Sequence, residues 1–309
     1  MSGDGPLVIE LSIVIPSWNT RELLEACLRS LQAADLPEHE IVIVDNGSED
    51  DTVAVLQADW PQVRLFLNET NEGFAPACNR GMRESSGRYI LLLNTDTEVR
   101  PDAIQKLYRF LQESREYAAA APKLIYPDGR VQKSCHRFPG LATAFFFSTP
   151  VEKWWPKSPE MKRYFMMDWD HEGDRDIDQP PAACMLVRAD VLAEIGLFDE
   201  KLWLFYNDVD LSLRLAQAGW KSRYLGSAVV VHHEGASTAK LVNFTPVWLE
   251  NRLTYYRKHF GRLGSVWLKT CVAFTWLDYV RQQLWKRVRG RPADPMAHLT
   301  RVFRDFLRQ

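Results

Sequence analysis

A chain of 309 residues, 46% apolar and 25% charged, has room for one large domain, or a domain with an extension, around a substantial core. Its net charge of -2 argues against nucleic acid as a partner, and its five cysteines (Cys27, Cys78, Cys135, Cys184, Cys271) form no C-x-x-C pair, which fits buried reduced thiols rather than a disulfide framework. No apolar run nears the ~20 residues of a transmembrane helix, and Met1 to Pro6 lacks the basic start of a signal peptide, so the expected setting is cytoplasmic.

Leu11 to Pro16 reads as a strand stopped by its proline. Asn19 with Glu22 makes a capping-box-like start to a helix carrying Leu23, Leu24, Cys27, Leu28 and Leu31 on one face. Ile41 to Val44 is the next strand, followed at once by Asp45, and a third runs near Val63 to Leu67. A helix bearing Cys78, Asn79 and Met82 is broken by Gly87 before the apolar run Tyr89 to Leu93. Strand and helix alternate at the spacing of βαβ units, which predicts a mostly parallel sheet. No G-x-G-x-x-G follows the first strand, so the dinucleotide-binding phosphate loop is missing.

The run Tyr89 to Leu93 ends abruptly in Asn94, Thr95, Asp96, Thr97 and Glu98. In open α/β sheets ligands bind beyond the carboxyl ends of strands, which places Asp96 where a divalent cation and a phosphorylated ligand belong. The alternative is that these residues only cap the helix beginning near Pro101, with Ile104, Leu107, Tyr108 and Leu111 inward. Ala118 to Leu124 is a short strand, and Tyr126 to Gly129 a turn. Ser134 to Pro181, rich in Pro, Trp, Phe and charge, reads as a long irregular segment, either a binding loop or lid, or a source of core aromatics. Ala182 to Arg188 returns as a strand, Val191 to Ile195 as a short helix, and a further helix starts near Asp208 with Leu211, Leu215 and Ala218 inward. Two strands, Lys221 to Leu225 and Ala228 to Val231, lead to His232 and His233. From Pro246 the pattern is helical.

Seven segments, in order, resemble the family 2 glycosyltransferases of the GT-A fold, especially their rhamnosyltransferase-like members. They are Ile13 to Asn19, Val44 to Ser48, Asn71 to Ala75 with Asn79 and Gly81, Leu92 to Asp96, Gly196 to Glu200, Asn207 to Leu211, and His232 to Ser237. The resemblance implies an inverting transferase that moves a sugar, rhamnose being one candidate, from a dTDP or UDP donor to a hydroxyl of a glycan or polyprenyl-linked acceptor. It implies donor contacts from Pro16, Ser17, Trp18, Asn19, Asp45, Asn46, Asn71, Gly73, Phe74, Asn79, Asn94 and Thr95. Asp45 would accept the imide N–H of uracil or thymine; otherwise it is a turn residue before Gly47. Asn71 and Asn79 could equally be cap or turn residues.

Asp96 would be a ligand of Mg²⁺ or Mn²⁺, hard cations that favour carboxylate and phosphate oxygen. The family's Asp-x-Asp begins here with Asn94, and the matching His, taken as His232 from its distance to Gly235, would add a ligand. Asp208 would be the general base that takes the acceptor's proton, or else a helix cap. Asn207 stands where the family usually has Glu. Asp210 and Arg214, at i and i+4, read as a structural ion pair.

The expected division is a glycosyltransferase domain over residues 1–245 and a C-terminal helical extension over 246–309. From Pro246 to Gln309, 13 Lys and Arg face 4 Asp and Glu, a balance of +9 against -11 for the rest. With Trp267, Trp276 and Trp285 among these charges, the extension could lie on the inner face of a cell membrane, or pack as a helix with its basic face in water. Two other functions fit parts of the pattern. A nucleotidyltransferase should carry a Gly- and Arg-rich loop after its first strand, which Pro16 to Asn19 is not. A non-catalytic sugar-nucleotide-binding scaffold is motivated by Asn207.

Overall fold

The computed structural model describes residues 9–235, 244–292 and 296–308, so Ala236 and Ser237 of the last motif lie outside the described residues. The chain begins as β1 (Leu11–Ser17), α1 (Arg21–Gln32), β2 (His39–Asp45), α2 (Thr52–Asp59), β3 (Arg64–Leu67), α3 (Phe74–Arg83) and β4 (Tyr89–Leu93). It continues through β5 (Thr97–Val99), α4 (Ala103–Glu113), β6 (Tyr117–Ile125), α5 (Leu141–Phe146), α6 (Pro150–Trp154) and α7 (Pro159–Tyr164). Then come β7 (Arg175–Ile177), β8 (Cys184–Arg188), α8 (Ala189–Ile195), α9 (Asn207–Gln217), β9 (Lys221–His232), α10 (Phe244–Val288) and α11 (Met296–Arg308).

The central sheet runs in the order β3-β2-β1-β4-β8-β6-β9-β5, with β7 against β9. The first four strands are parallel to one another, as is the β6–β9 pair, while β8 enters antiparallel to both of its neighbours. Both faces are covered, which is why β4 can be apolar at every position. Ile13, Ile15, Leu91 and Leu93 face α1 and α4 in one core, while Val14, Ile90 and Leu92 face α3, α8 and α9 in the other. All five cysteines are buried and unpaired, as their spacing predicts.

β9 is one strand where the sequence reads as two. The register against β6 jumps between Pro122 and Lys123, pairing Pro122 with Leu225 but Lys123 with Val229, so the strand absorbs Gly226, Ser227 and Ala228 as an irregularity. A Cβ on Gly226 would sit 1.9 Å from the Glu172 carbonyl oxygen, so only glycine fits that approach. The expected capping box at Asn19 does not form either. The N-cap is Thr20, and Asn19 sits at φ 54°, where its side-chain oxygen accepts from the Glu49 N–H at 2.7 Å.

These sheet elements belong to one compact unit. A second unit consists of Arg137–Asp168, Leu204–Tyr206 and Asn243–Gln309. The expectation of an irregular segment over 134–181 is corrected there: α5, α6 and α7 fall inside it. Thr149 and Ser158 cap α6 and α7, each with proline at the first helical position, a start signal present in the sequence. Within this unit the Phe145 ring stacks on Trp267 and Phe274, and the Tyr256 hydroxyl donates to the Gly140 carbonyl at 2.8 Å. α10 breaks at Gly261 (φ 63°) and buries Leu249, Leu253, Tyr255, Tyr256 and Leu268, while Leu263, Leu277, Leu284 and Val288 stay exposed. Among the described residues, no helix is long and apolar enough to cross a membrane.

Candidate active site

The carboxyl ends of β1, β2 and β4 are adjacent because those strands are parallel neighbours, with Ser17 paired to Asp45 in register. Asp45 ends β2 as a buried carboxylate. Its Oδ1 accepts the Ser48 N–H at 2.9 Å and its Oδ2 the Ser48 hydroxyl at 2.6 Å. The Ser48 oxygen in turn accepts the Asn19 N–H at 2.8 Å, so the loops after β1 and β2 are fastened together. Each carboxylate oxygen can accept more than one hydrogen bond, and Asp45 keeps capacity for a ligand donor.

Asn46 is different. Its amide nitrogen donates to Asn71 Oδ1 and the Gly73 carbonyl, both at 3.0 Å, and its oxygen accepts from Asn68 Nδ2 at 2.8 Å and the Glu72 N–H at 3.2 Å. That spends its amide donors and acceptor pairs on the neighbouring loop. Asn71 Oδ1 also accepts the Gly73 N–H at 3.0 Å. Gly73 itself has φ 105°, and a Cβ there would meet the Trp203 indole at 2.3 Å. Asn79, buried on α3, donates to the Phe198 carbonyl and Glu200 Oε1 and accepts the Phe198 N–H. Its side chain thereby fastens α3 to the loop before α9. Phe74 packs beside Phe198, their rings 6.2 Å apart. Pro16, Trp18 and Asn19 remain partly exposed, and Thr95 is buried.

A second group of polar atoms has no such partners. Among the described residues, the buried Ser17 Oγ, Thr20 Oγ1 and Asn94 Oδ1 have no hydrogen-bond partner. Orphaned polar atoms at strand ends cost stability unless a ligand or water completes them.

Asp96 and His232 meet because β5 pairs antiparallel with β9, Thr97 opposite His232. The His233 N–H donates to the Asp96 carbonyl at 2.9 Å, which fastens the end of β9 to the turn between β4 and β5. Of the adjacent histidines, His232 turns its Nε2 to 3.4 Å from Asp96 Oδ1, while His233 Nε2 lies 2.8 Å from Glu98 Oε1. Asp96 is nearly fully buried. Among the described residues no cluster of three or more His, Cys, Asp or Glu side chains is arranged to hold a metal. A carboxylate and an imidazole nitrogen facing each other suit a cation whose other positions go to ligand oxygens, so the pair fits Mg²⁺ or Mn²⁺ bound together with a diphosphate.

Asp208 opens α9. Its Oδ1 accepts the Val209 N–H at 2.8 Å and its Oδ2 lies 3.4 Å from the Ala182 N–H. The residue is only half-buried, but its carboxyl faces these backbone groups. Burial raises its pKa above the ordinary Asp value of 3.8, against the backbone hydrogen bonds that pull it down. The next residue in the 182–184 stretch, Ala183, accepts the Asn94 N–H at 3.0 Å, so one short segment touches both the base candidate and the end of β4. Asn207 Oδ1 accepts the Asp208 N–H at 2.8 Å. The Asp210–Arg214 ion pair forms at 2.9 Å with Asp210 fully buried, and Arg214 also donates to the carbonyls of Ile195, Gly196 and Leu197.

The family described as Glycosyl transferase family 2 matches residues 12–195, more than half of the chain. The chain belongs to glycosyl transferase family 2. It is similar to a Mycobacterium tuberculosis protein named N-acetylglucosaminyl-diphospho-decaprenol L-rhamnosyltransferase, 29% identical over 241 residues that cover 74% of this chain and 78% of that one. It is therefore a rhamnosyltransferase-like member. Among solved structures it resembles GalNAc-T7 with UDP, GalNAc and Mn²⁺, at a TM-score of 0.56 and 16% identity, over 94% of this chain and 59% of that one. It also resembles the mannosyltransferase PcManGT of Pyrobaculum calidifontis with GDP-Man and Mn²⁺, at 0.54 and 14%, over 85% and 74%. Those likenesses show the fold, which is GT-A.

Proposed function

We propose that this glycosyltransferase inverts the anomeric carbon of a nucleotide-diphosphate sugar, with Asp208 as general base and Asp96 and His232 as protein ligands of Mg²⁺ or Mn²⁺. The observation that carries the reading is the Asp96–His232 pair: a carboxylate oxygen and a ring nitrogen 3.4 Å apart, with partnerless oxygens on Ser17 and Asn94 at the ends of the neighbouring strands β1 and β4. The metal, bound with the donor, would supply charge stabilisation for the departing diphosphate. Asp45 receives the base imide, and Ser17 and Asn94 offer their unpartnered oxygens to the donor. Asn46 and Asn79, whose amides are engaged within the protein, shape the donor loop, while Asn71, whose oxygen accepts from Asn46 and Gly73, can still donate its amide N–H to the nucleotide. Asp208 takes the proton of the acceptor hydroxyl as that oxygen attacks. Its pKa, raised by burial, makes it a stronger base than an exposed Asp.

The mycobacterial relative is named for a rhamnosyl transfer to a decaprenol-linked acceptor, which supports a rhamnosyl donor and a polyprenyl-diphosphate acceptor here. Such an acceptor lives at a membrane. The sheet unit serves the donor, and the C-terminal segment from residue 246 holds the enzyme to the inner membrane face through its basic residues and its exposed Trp285, Leu284 and Val288. A donor panel of dTDP, UDP and GDP sugars tests the reading: one donor should raise the melting temperature only with Mg²⁺ or Mn²⁺ present. Stabilisation by no nucleotide sugar, or equally with EDTA, counts against it.

A further inference from the structure

The turn Tyr126 to Gly129 has no part in the transfer just described, yet it returns the chain to the candidate metal site. Its hydrogen bonds, Tyr126 N–H to the Arg130 carbonyl and Gly129 N–H to the Tyr126 carbonyl, fold the chain back on β6, where Val131 bridges Ile125. The Gln132 N–H then donates to the Leu124 carbonyl at 2.9 Å. Because Ile125 is paired with Val231 across the parallel β6–β9 ladder, Gln132 arrives beside His232. It is buried there.

Gln132 touches His232 twice. Its Nε2 donates to the His232 carbonyl at 2.6 Å, and its Oε1 lies 2.9 Å from His232 Nδ1. The first contact fixes the orientation of the amide, since the reversed amide would set one carbonyl oxygen against another. An amide oxygen only accepts, so the proton of the neutral ring must sit on Nδ1. The bare lone pair of Nε2 therefore points toward Asp96 Oδ1. Two acceptors face each other at 3.4 Å with no proton between them, an arrangement that a cation relieves. A ring protonated on Nε2 would instead donate to Asp96 and close the gap to a metal.

We infer that Gln132 is a positioning residue that holds His232 in the Nδ1–H tautomer and so sets the metal affinity of the Asp96–His232 pair. The inference rests on the metal reading of that pair. Outer partners of ligating histidines commonly act this way, and losing one costs about 10–100-fold in metal affinity.

The test uses the full chain and follows free Mn²⁺ by electron paramagnetic resonance, with Mn²⁺ alone and with UDP added. Gln132→Met removes both contacts at nearly constant shape and should weaken Mn²⁺ binding by about 10–100-fold. Gln132→Glu keeps an acceptor for Nδ1–H and should bind Mn²⁺ at least as tightly as wild type. Nitrogen-15 spectra of the metal-free protein read the tautomer directly: Nδ1–H alone in wild type, a mixture in Gln132→Met. Unchanged affinity in Gln132→Met, while Asp96→Asn loses Mn²⁺, overturns the inference and leaves the metal reading standing. An Nε2–H tautomer in the wild type overturns it without any variant. Mn²⁺ binding undiminished in Asp96→Asn overturns the metal reading and this inference with it.

Discussion

Asn46 and Asp96 both follow buried strands of the same sheet and both belong to motif segments, yet their surroundings differ in kind. Around Asn46 every side-chain donor and acceptor is engaged with Asn68, Asn71, Glu72 or Gly73. Near Asp96, by contrast, Asn94 holds an oxygen without a partner, as does Ser17 at the end of the neighbouring β1, and His232 turns its Nε2 to 3.4 Å from the Asp96 carboxylate. The first region is complete as folded and its polar groups stabilise a loop. The second is incomplete, and a donor with its metal would complete it. A motif match alone does not separate these roles, because both kinds of residue are needed for one ligand to bind.

The largest effect is expected outside both regions, at Asp208. Asp208→Asn keeps the shape and removes the basicity, so transfer should fall by about 10²–10⁴ with donor affinity little changed. Because only the ionised form accepts a proton, the wild-type rate should fall as pH drops through the Asp208 pKa. That pKa is raised by burial, so the acid limb should lie above 3.8. Loss of donor binding in single-turnover experiments on Asp208→Asn would make the residue structural instead.

The two strand-end regions should then respond in opposite ways. Asn46→Ala strands buried partners and should cost about 2–3 kcal/mol in denaturant unfolding. Ser17→Ala removes a buried oxygen that has no partner, and its unfolding free energy should be no lower than wild type and higher by up to about 1–3 kcal/mol. Equal losses for both would erase the contrast. Asp96→Ala should weaken metal-dependent nucleotide-sugar binding by at least about tenfold, roughly 1.4 kcal/mol, in calorimetry. Unchanged metal-dependent affinity would remove Asp96 from the site. The smallest effect concerns the C-terminal segment: Arg287→Gln should weaken sedimentation with anionic liposomes by about five-fold, at about 1 kcal/mol per charge near the surface. Equal sedimentation would leave the segment as a packed helix alone.

The sheet was legible because its cause is local. Apolar runs such as Tyr89 to Leu93 and helical spacing such as Leu24, Cys27, Leu28 and Leu31 follow from burial on two faces, and the elements stand where those patterns lie. The strand-end carboxylates were legible for the same reason. What a polar side chain bonds to is a tertiary property, and here sequence reading went wrong or stayed silent. Asn19 reads as a cap and instead joins two loops, and the bonds by which Asn79 fastens α3 to Phe198 and Glu200 have no counterpart in the local pattern. Gln132 carried no signal at all, since its partner lies a hundred residues away and the turn between them and β6 brings it there. The helices over 141–164 did leave a signal, in the Thr149-Pro150 and Ser158-Pro159 starts, but the density of aromatics and prolines around them masked it.

The account stands most directly on whether donor cleavage waits for an acceptor. Release of nucleoside diphosphate from dTDP-rhamnose should be measured with Mn²⁺, with and without a polyprenyl-diphosphate-linked sugar acceptor. The account predicts release that requires the acceptor, stops with EDTA and leaves a product of inverted anomeric configuration. Retained configuration, or release at the same rate without any acceptor, would contradict it.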